Sequence, residues 1–280
     1  MKIHVIQTGT VTIRPNQREG VGSGDQRLLN TMNDTRWTEP LPINVWVLEH
    51  PEGIILIDTG ETSQTSNPGY FPEWHPYWKN VKEDVKPEEE VGPQLKNLGI
   101  SANDVMWVIM THLHTDHAGG LHHFPKSEII VMRNEYQNAS GIEGQKRGFL
   151  PQHWPSWFNP RLVDLEPQSF GPFPSSLKIT KTEDVIIVPT YGHTDAHVSV
   201  VLTEPDLCYF FAGDSSYTQE LMLKKKVDGV TSNEQHAMTT LERINQFVKE
   251  KPTIYLPTHD PLSSKRLSKK EYCVSYAKNK

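Results

Sequence analysis

The sequence predicts an α/β fold, and three observations favour this class. Short apolar runs rich in β-branched residues recur along the chain and are separated by polar, helical or turn-rich segments. Two of these runs, residues 105–110 and 185–188, lack polar alternation, which is typical of strands buried on both faces. Several runs end in a histidine or an aspartate, and strand ends of layered α/β sheets gather ligands at one edge.

Composition restricts the class of protein further. The chain has 280 residues, 36% hydrophobic and 22% charged, which is ordinary for a globular protein and allows one large or two small domains. We predict a single domain over residues 1–280. The net charge of -6 argues against a nucleic-acid partner.

Location and redox state are also predicted from composition. The N-terminus lacks the apolar length of a signal peptide, and no later run is long enough to span a bilayer, so we predict a cytoplasmic protein without membrane contact. Cys208 and Cys273 are far apart in the sequence, so a disulfide framework is not expected.

The first quarter of the chain predicts strands around a long irregular segment. Residues 2–14 indicate an opening strand or a hairpin that turns at Gly9-Thr10. Residues 15–42 are polar and rich in glycine, and they form either a functional loop or a surface excursion. Residues 43–49 and 53–57 form a strand pair that ends at Asp58. This aspartate either supports metal-bound histidines from behind or caps its own turn; we favour the first role.

Two segments, residues 62–86 and 134–160, are rich in aromatic side chains. They could cover the mouth of a site, join a subunit interface, or pack as a satellite cluster under a loop. A helix is one interpretation of part of the second segment.

The remaining elements follow from periodicity and from turn residues. Residues 88–98 predict a helix closed by Gly99, residues 105–110 a fully buried strand, and residues 121–124 a helical turn. Residues 234–250 predict an amphipathic helix, and residues 263–270 a solvated surface segment. The other predicted strands are residues 129–132, 185–188, 198–202, 207–212 and 253–256.

The most informative stretch is residues 111–117, which directly follows the strand at 105–110. It contains His112, His114, Asp116 and His117 within six positions. A lone histidine is usually an ordinary surface or core residue, but four ligand-type residues in this order indicate a zinc-like metal site. Gly119 and Gly120 allow the backbone to curl closely around bound ions.

Further metal-type residues follow the ends of later strands, and together they suit two zinc ions, Zn²⁺, or similar divalent metals. We assign His112, His114 and His193 to the first ion. Asp116, His117 and His259 are assigned to the second. Asp214 bridges the two, because a carboxylate can offer one oxygen to each ion. Such ions lower the pKa of bound water strongly.

This residue set resembles the metallo-β-lactamase superfamily, and within it the N-acyl-homoserine lactone lactonases that quench quorum sensing. The resemblance implies an αβ/βα four-layer sandwich, a homodimer in many members, and a hydrolase that opens a small cyclic ester by attack of a metal-bridging hydroxide. It also implies that Tyr217 lies beside the substrate carbonyl. Asp116 would pass a proton to the leaving group. Thr115 stands where many of these lactonases carry an aromatic residue.

Other functions are compatible with the same motif. The substrate could be another small ring, an aryl lactam of the benzoxazolinone type or a lactone of the pyridoxolactone type. A glyoxalase II-type thioesterase normally has a further helical domain, for which the 21 residues after His259 leave no room. A phosphodiesterase would favour a basic surface, and a β-lactamase an export signal. A binding protein without turnover would not be expected to keep every ligand.

Some candidate residues have a plainer interpretation. Tyr217 could be a packing tyrosine, and His197 is expected to support the site from behind or to pack in the core. No role is assigned to His122 or His123.

Overall fold

The structure, a computed structural model, describes residues 1–273 as two compact units. The first unit comprises Met1–Arg14 and Arg36–Val163, and the second comprises Pro15–Thr35 and the chain from residue 164 onward. The predicted single domain over residues 1–280 stays a prediction, and its last seven residues, 274–280, lie outside the described part. Within residues 1–273, every helix is too short or too polar to cross a membrane.

Twelve strands and nine α-helices are found in residues 1–273. The strands are β1 (Lys2–Ile13), β2 (Leu41–His50), β3 (Gly53–Ile57), β4 (Val81–Asp84), β5 (Val105–Ile109), β6 (Glu128–Met132), β7 (Arg161–Val163), β8 (Leu177–Lys178), β9 (Val185–Pro189), β10 (Val198–Glu204), β11 (Leu207–Gly213) and β12 (Thr253–Pro257). The helices are α1 (Pro15–Arg18), α2 (Gly24–Met32), α3 (Val91–Asn97), α4 (Thr115–Ala118), α5 (Arg133–Ala139), α6 (Gly141–Lys146), α7 (Gln219–Leu223), α8 (Glu234–Glu250) and α9 (Ser263–Lys269).

The first unit is built on a seven-stranded sheet with the order β4-β1-β2-β3-β5-β6-β7. Strands β3, β5, β6 and β7 are parallel, and Ile57 at the end of β3 is in register with Ile109 at the end of β5. Apolar side chains of this sheet, among them Val47, Leu56 and Val108, form the core with α3. The parallel register brings the residues after β3 and the residues after β5 to the same edge.

The second unit is built on a five-stranded sheet with the order β12-β11-β10-β9-β8. Strands β9 and β11 both run antiparallel to β10, and β12 is parallel to β11. The carboxyl ends of β9, β11 and β12 therefore share one edge, which places the residues that follow each of them near one another. Helix α8 packs its apolar face, including Leu241, Ile244 and Phe247, on this sheet.

Most of the predicted strands and the helix at 234–250 are confirmed, and two expectations are wrong. The strand at 105–110 is not fully buried, because Met106 is 46% exposed. Residues 15–42 are not irregular throughout, since they contain α1 and α2. The predicted surface segment 263–270 is mostly exposed and contains α9, whose Arg266 is buried and donates to the Asp260 carboxylate at 2.6 Å.

The open alternatives at two further segments are resolved. Residues 2–13 form one continuous strand rather than a hairpin, with an irregular register between Gln7 and Thr10. Gly9 in this bulge has a φ of 75°, a conformation that favours glycine. The aromatic segment 134–160 does contain helical structure, namely most of α5 and all of α6.

Candidate metal centre

Asp58 follows β3 and lies behind the histidine motif in the first unit. Its backbone adopts a left-handed φ of 61°, and its carboxylate is buried. Oδ1 accepts a hydrogen bond from the Thr111 backbone N–H at 2.7 Å, and Oδ2 accepts from the Thr111 hydroxyl at 2.9 Å. Oδ2 also lies 2.9 Å from Nδ1 of His117. The predicted supporting role of Asp58 therefore has a direct geometric basis.

These hydrogen bonds fix which ring nitrogens carry protons. A carboxylate only accepts, so Nδ1 of His117 carries a proton and Nε2 keeps its lone pair. The Thr111 hydroxyl gives its proton to Asp58, so its oxygen accepts from Nδ1 of His112 at 3.1 Å. Nε2 of His112 is then also a lone-pair donor to a metal. Both rings are fully buried.

The other two motif residues lie beside these rings. Nδ1 of His114 is 3.0 Å from Nε2 of His112, and Oδ1 of Asp116 is 3.9 Å from Nε2 of His117. Asp116 and His117 belong to the short helix α4. The backbone N–H of Leu113 is held by the buried Glu135 carboxylate at 3.1 Å. Three imidazoles and one carboxylate thus come together in the first unit, as the spacing predicts.

The second unit brings together the other predicted ligands. His193, Asp214 and His259 follow β9, β11 and β12, and all three are at least 94% buried. Oδ2 of Asp214 lies 3.6 Å from Nε2 of His193 and 3.3 Å from Nε2 of His259. One carboxylate oxygen therefore faces two imidazole nitrogens, which suits the bridging role predicted for Asp214.

His193 and Asp214 each have a buried support in the second unit. Nδ1 of His193 faces Oδ2 of Asp228 at 3.4 Å. Although burial opposes ionisation, hydrogen bonds from His193, Thr231 and the Val230 backbone hold the pKa of Asp228 below its ordinary value. Nε2 of His197 accepts the Asp214 backbone N–H at 3.0 Å, so His197 supports the site from behind, as expected.

Tyr217 lies next to the last predicted ligand. Its ring stacks on His259 with centroids 5.5 Å apart, and the residue is 4% exposed. The side-chain amide of Gln17 donates to the Tyr217 hydroxyl at 3.0 Å. The phenol oxygen is thereby held in place at the edge where the second unit's ligands gather.

A pocket of about 110 Å³ opens in the first unit beside the motif. Tyr70, from the first aromatic segment, and Trp154, from the second, both line it. The Tyr70 hydroxyl lies 3.0 Å from Oγ1 of Thr115, and its ring stacks on His153 at 4.1 Å. Both aromatic segments therefore contribute to a recess beside the motif, as the site-mouth interpretation expects.

Two acidic residues are enclosed near this pocket. Burial raises the pKa of Glu61 to about 7, although hydrogen bonds from Glu83 and the Thr62 backbone oppose the shift. Burial and the charge of Glu61 raise the pKa of Glu83 well above its ordinary value. The pair therefore retains a proton where separate glutamates would be ionised.

The sequence analysis missed three residues that hold the site. Asp228 and Gln17 contact residues 35 and 200 positions away, and neither follows a strand. Glu135 lies 22 positions after the backbone N–H that it holds. Asp228-Gly229 carried only the signal of an ordinary turn, so no local pattern could have identified these residues.

The chemistry of the two ligand sets fits divalent transition metals. Each unit joins imidazoles with a carboxylate, and Nδ1 of His117 and Nδ1 of His193 each face a supporting carboxylate, which leaves Nε2 as the ligand atom. Imidazole nitrogens and carboxylate oxygens grouped in this way are the ligand atoms that zinc-like ions bind.

Comparisons with known proteins agree with this chemistry. Residues 38–259 match the family model of the Metallo-beta-lactamase superfamily. An N-acyl homoserine lactonase of a Bacillus species is 30% identical over 77% of this chain and 80% of its own length. The N-acyl homoserine lactonase AiiA of Bacillus thuringiensis subsp. kurstaki is 28% identical with the same coverage.

One solved structure is similar to this chain over nearly the whole length of both proteins. It is an N-acyl homoserine lactone hydrolase with the product N-hexanoyl-L-homoserine bound at the catalytic metal centre. It aligns with a TM-score of 0.76 and 23% identity, over 97% of this chain and 98% of its own. The predicted α/β class and metallo-β-lactamase fold are confirmed.

Proposed function

The chain belongs to the metallo-beta-lactamase superfamily and is a metal-dependent hydrolase of the lactonase type, and on this premise we propose that it opens the ring of an N-acyl homoserine lactone or a closely similar small lactone. Such an activity would quench quorum sensing. The proposal rests most on Asp214, whose Oδ2 faces Nε2 of His193 and Nε2 of His259. The Tyr217 ring stacks on His259.

The proposed ligand sets are those given by the sequence. His112, His114 and His193 would hold one ion, and Asp116, His117 and His259 the other, with Asp214 bridging them. The supporting carboxylates, Asp58 and Asp228, keep the imidazoles in the required tautomers. Two zinc or similar divalent ions held there would lower the pKa of water to give a nucleophile near neutral pH and would polarise the substrate carbonyl.

The side chains of the chain have separate tasks in this proposal. The Tyr217 hydroxyl donates to the carbonyl oxygen as negative charge develops on it, and the Gln17 amide fixes the phenol in position. The Asp116 carboxylate would accept the proton that the attacking water loses and pass it to the ring oxygen of the leaving group, which departs slowly as an unprotonated alkoxide at neutral pH. The pocket beside Thr115 receives the part of the substrate that does not react.

The identity of the relatives favours an N-acyl homoserine lactone over the alternative substrates. The curated relatives described above are lactonases, whereas the aryl lactam, pyridoxolactone and thioester hypotheses have no support of this kind. The homodimer and the cytoplasmic location stay predictions.

Hydrolysis assays with metal-loaded protein test the substrate class. The panel comprises acyl-homoserine lactones, γ- and δ-lactones, an aryl lactam, a glutathione thioester and a phosphodiester, each followed by acid release or product formation. We expect the acyl-homoserine lactones to have the highest kcat/KM. Fast turnover of the thioester or the phosphodiester alone would overturn the proposal.

The role of Tyr217 has its own test. Tyr217→Phe should leave metal content unchanged and lower kcat by ~10- to 1000-fold, the scale of losing one oxyanion donor. Tyr209→Phe is the matched control, because it removes a hydroxyl from the same unit on β11 without touching the proposed ligands. If Tyr217→Phe turns over the preferred lactone as fast as wild type, the assigned role is wrong.

A further inference from the structure

Three metal-ligating side chains meet in the first unit outside the ligand sets described above. Ligand atoms of Glu90, His122 and His123 all lie within 4.8 Å of one another. Oε2 of Glu90 is 3.2 Å from Nε2 of His122 and 2.8 Å from Nε2 of His123. The two imidazole rings are neighbours, with centroids 4.0 Å apart.

The Glu90 carboxylate is anchored so that one oxygen is directed at the rings. Its other oxygen, Oε1, accepts from the backbone N–H and the hydroxyl of Ser63, at 2.8 and 2.5 Å, and from the Thr62 hydroxyl at 3.2 Å. Burial opposes ionisation, but the hydrogen bonds from Ser63 and His123 outweigh it and lower the pKa of Glu90 to about 2. Glu90 is therefore a fixed anion at neutral pH.

The tautomer of His122 creates a conflict that a cation resolves. Nδ1 of His122 lies 3.1 Å from the Gly119 carbonyl oxygen, which only accepts, so this nitrogen carries a proton. In the neutral ring, Nε2 then presents a lone pair to the Glu90 carboxylate. Two acceptors at 3.2 Å repel each other unless a proton or a metal ion lies between them.

The same carboxylate oxygen, Oε2 of Glu90, faces Nε2 of both rings. A single divalent ion would bind Nε2 of each ring and the carboxylate oxygen together. Tetrahedral zinc with N and O ligands separates its ligand atoms by ~3.4 Å. The 3.2 Å between Oε2 of Glu90 and Nε2 of His122 is close to this separation, and the 2.8 Å to Nε2 of His123 would lengthen when an ion binds.

We propose that Glu90, His122 and His123 form a further binding site for a divalent transition-metal ion, distinct from the ligand sets of the catalytic proposal. Two imidazoles and one carboxylate favour Zn²⁺, Ni²⁺ or Cu²⁺ over Mg²⁺ or Ca²⁺, which prefer oxygen ligands alone. The His122 side chain is 39% exposed, so water can complete the coordination and the ion can enter from solvent.

The site connects two segments that form the same wall of the pocket. Glu90 holds the start of the 3-10 helix Ser63–Ser66, whereas both histidines end the 3-10 helix Gly119–His123. Gln64, Gly119 and His122 line the pocket beside the motif. An ion bound to Glu90 and both histidines therefore fastens this wall of the pocket.

Metal stoichiometry tests the proposal independently of turnover. Full-length protein is dialysed against buffered Zn²⁺ at increasing free concentration, and bound zinc per chain is measured by mass spectrometry. We expect His122→Gln and His123→Gln each to bind one equivalent less than wild type and to keep the remaining zinc. His236→Gln, which changes an exposed histidine on α8, should bind as wild type does.

A second measurement identifies the ligands directly. One equivalent of Cu²⁺ added to protein that holds only the two zinc ions of the catalytic proposal should give an electron paramagnetic resonance spectrum with coupling to two imidazole nitrogens, reduced to one in His122→Gln. Equal zinc stoichiometry in wild type and both variants, or a copper spectrum unchanged by His122→Gln, would overturn the proposal. Neither result depends on which substrate the protein hydrolyses.

Discussion

A single carboxylate, that of Asp58, sets the protonation of two histidine rings. It bonds directly to Nδ1 of His117 and reaches His112 through the Thr111 hydroxyl. Asp58→Asn replaces one oxygen with an amide that donates, so one of these bonds is lost or reversed. We expect metal affinity to fall by ~10- to 100-fold, the usual effect of losing such a support. Competition with a chromophoric chelator measures the change.

Asp58→Asn removes a negative charge as well as hydrogen bonds, and a control variant separates these two effects on metal affinity. Asp104→Asn removes the same charge from an exposed position of the first unit. We expect it to bind metal as wild type does. An equal loss of affinity in Asp104→Asn and Asp58→Asn would show that the overall charge matters and the hydrogen bonds do not.

The turn between β9 and β10 positions the His193 side chain, and Gly192 in this turn leaves no space for a side chain. Gly192 has a φ of 139°, and a Cβ there would lie 2.5 Å from the backbone of Ala237 at the start of α8. Gly192→Ala must push the turn away from the helix, so we expect lower stability and weaker metal binding together. Thermal unfolding and zinc titration measure the two effects.

The matched control for this variant is Gly99→Ala. Gly99 also has a positive φ, 77°, but open space surrounds the position of its Cβ. Gly99→Ala should lower the free energy of unfolding by about 1 kcal/mol through backbone strain alone and leave metal binding unchanged. If Gly192→Ala retains metal as well as Gly99→Ala does, close packing against α8 does not position His193.

The elements that the sequence predicts are those whose signal is local. His112, Asp214 and His259 were found because each follows an apolar strand, and β-sheet edges collect such residues. Helix α2 was missed because its residues resemble a polar loop. Its stability comes from contacts such as Arg27 donating to the Asp228 backbone, 201 positions away. Asp228 itself was missed for the same reason.

At the scale of the whole molecule, the enclosed acid pair makes stability depend on pH. Burial raises the pKa of Glu61 from 4.5 to about 7, so the native state holds a proton more tightly than the unfolded chain. Its stabilising effect is fully present below about pH 4.5 and is lost as the pH rises through about 7. Glu61→Gln should therefore reduce the decline in unfolding free energy between pH 5.5 and 8.

This comparison is made by urea denaturation of metal-free protein, so that pH-dependent metal binding does not contribute. The histidines that wild type and variant share titrate in both, so the difference between the two curves reports Glu61. Glu88→Gln, an exposed glutamate in the same unit, should follow the wild-type pH dependence. Parallel curves for wild type and Glu61→Gln would show that the Glu61 carboxyl is not protonated in the native state.

Metal binding should stabilise the whole fold, because the unfolded chain does not present the proposed ligands together. At a free-ion concentration of 100 times the Kd, each bound ion adds about 2.7 kcal/mol to the free energy of unfolding. We expect the unfolding temperature of wild type to rise with free zinc. In Asp214→Asn the rise should be much smaller, because the carboxylate that faces His193 and His259 is lost. Both proteins also carry His122→Gln, which removes one ligand of the proposed Glu90–His122–His123 site, so that zinc bound at that site does not contribute. An equal rise in the two proteins would mean that Asp214 is not a metal ligand.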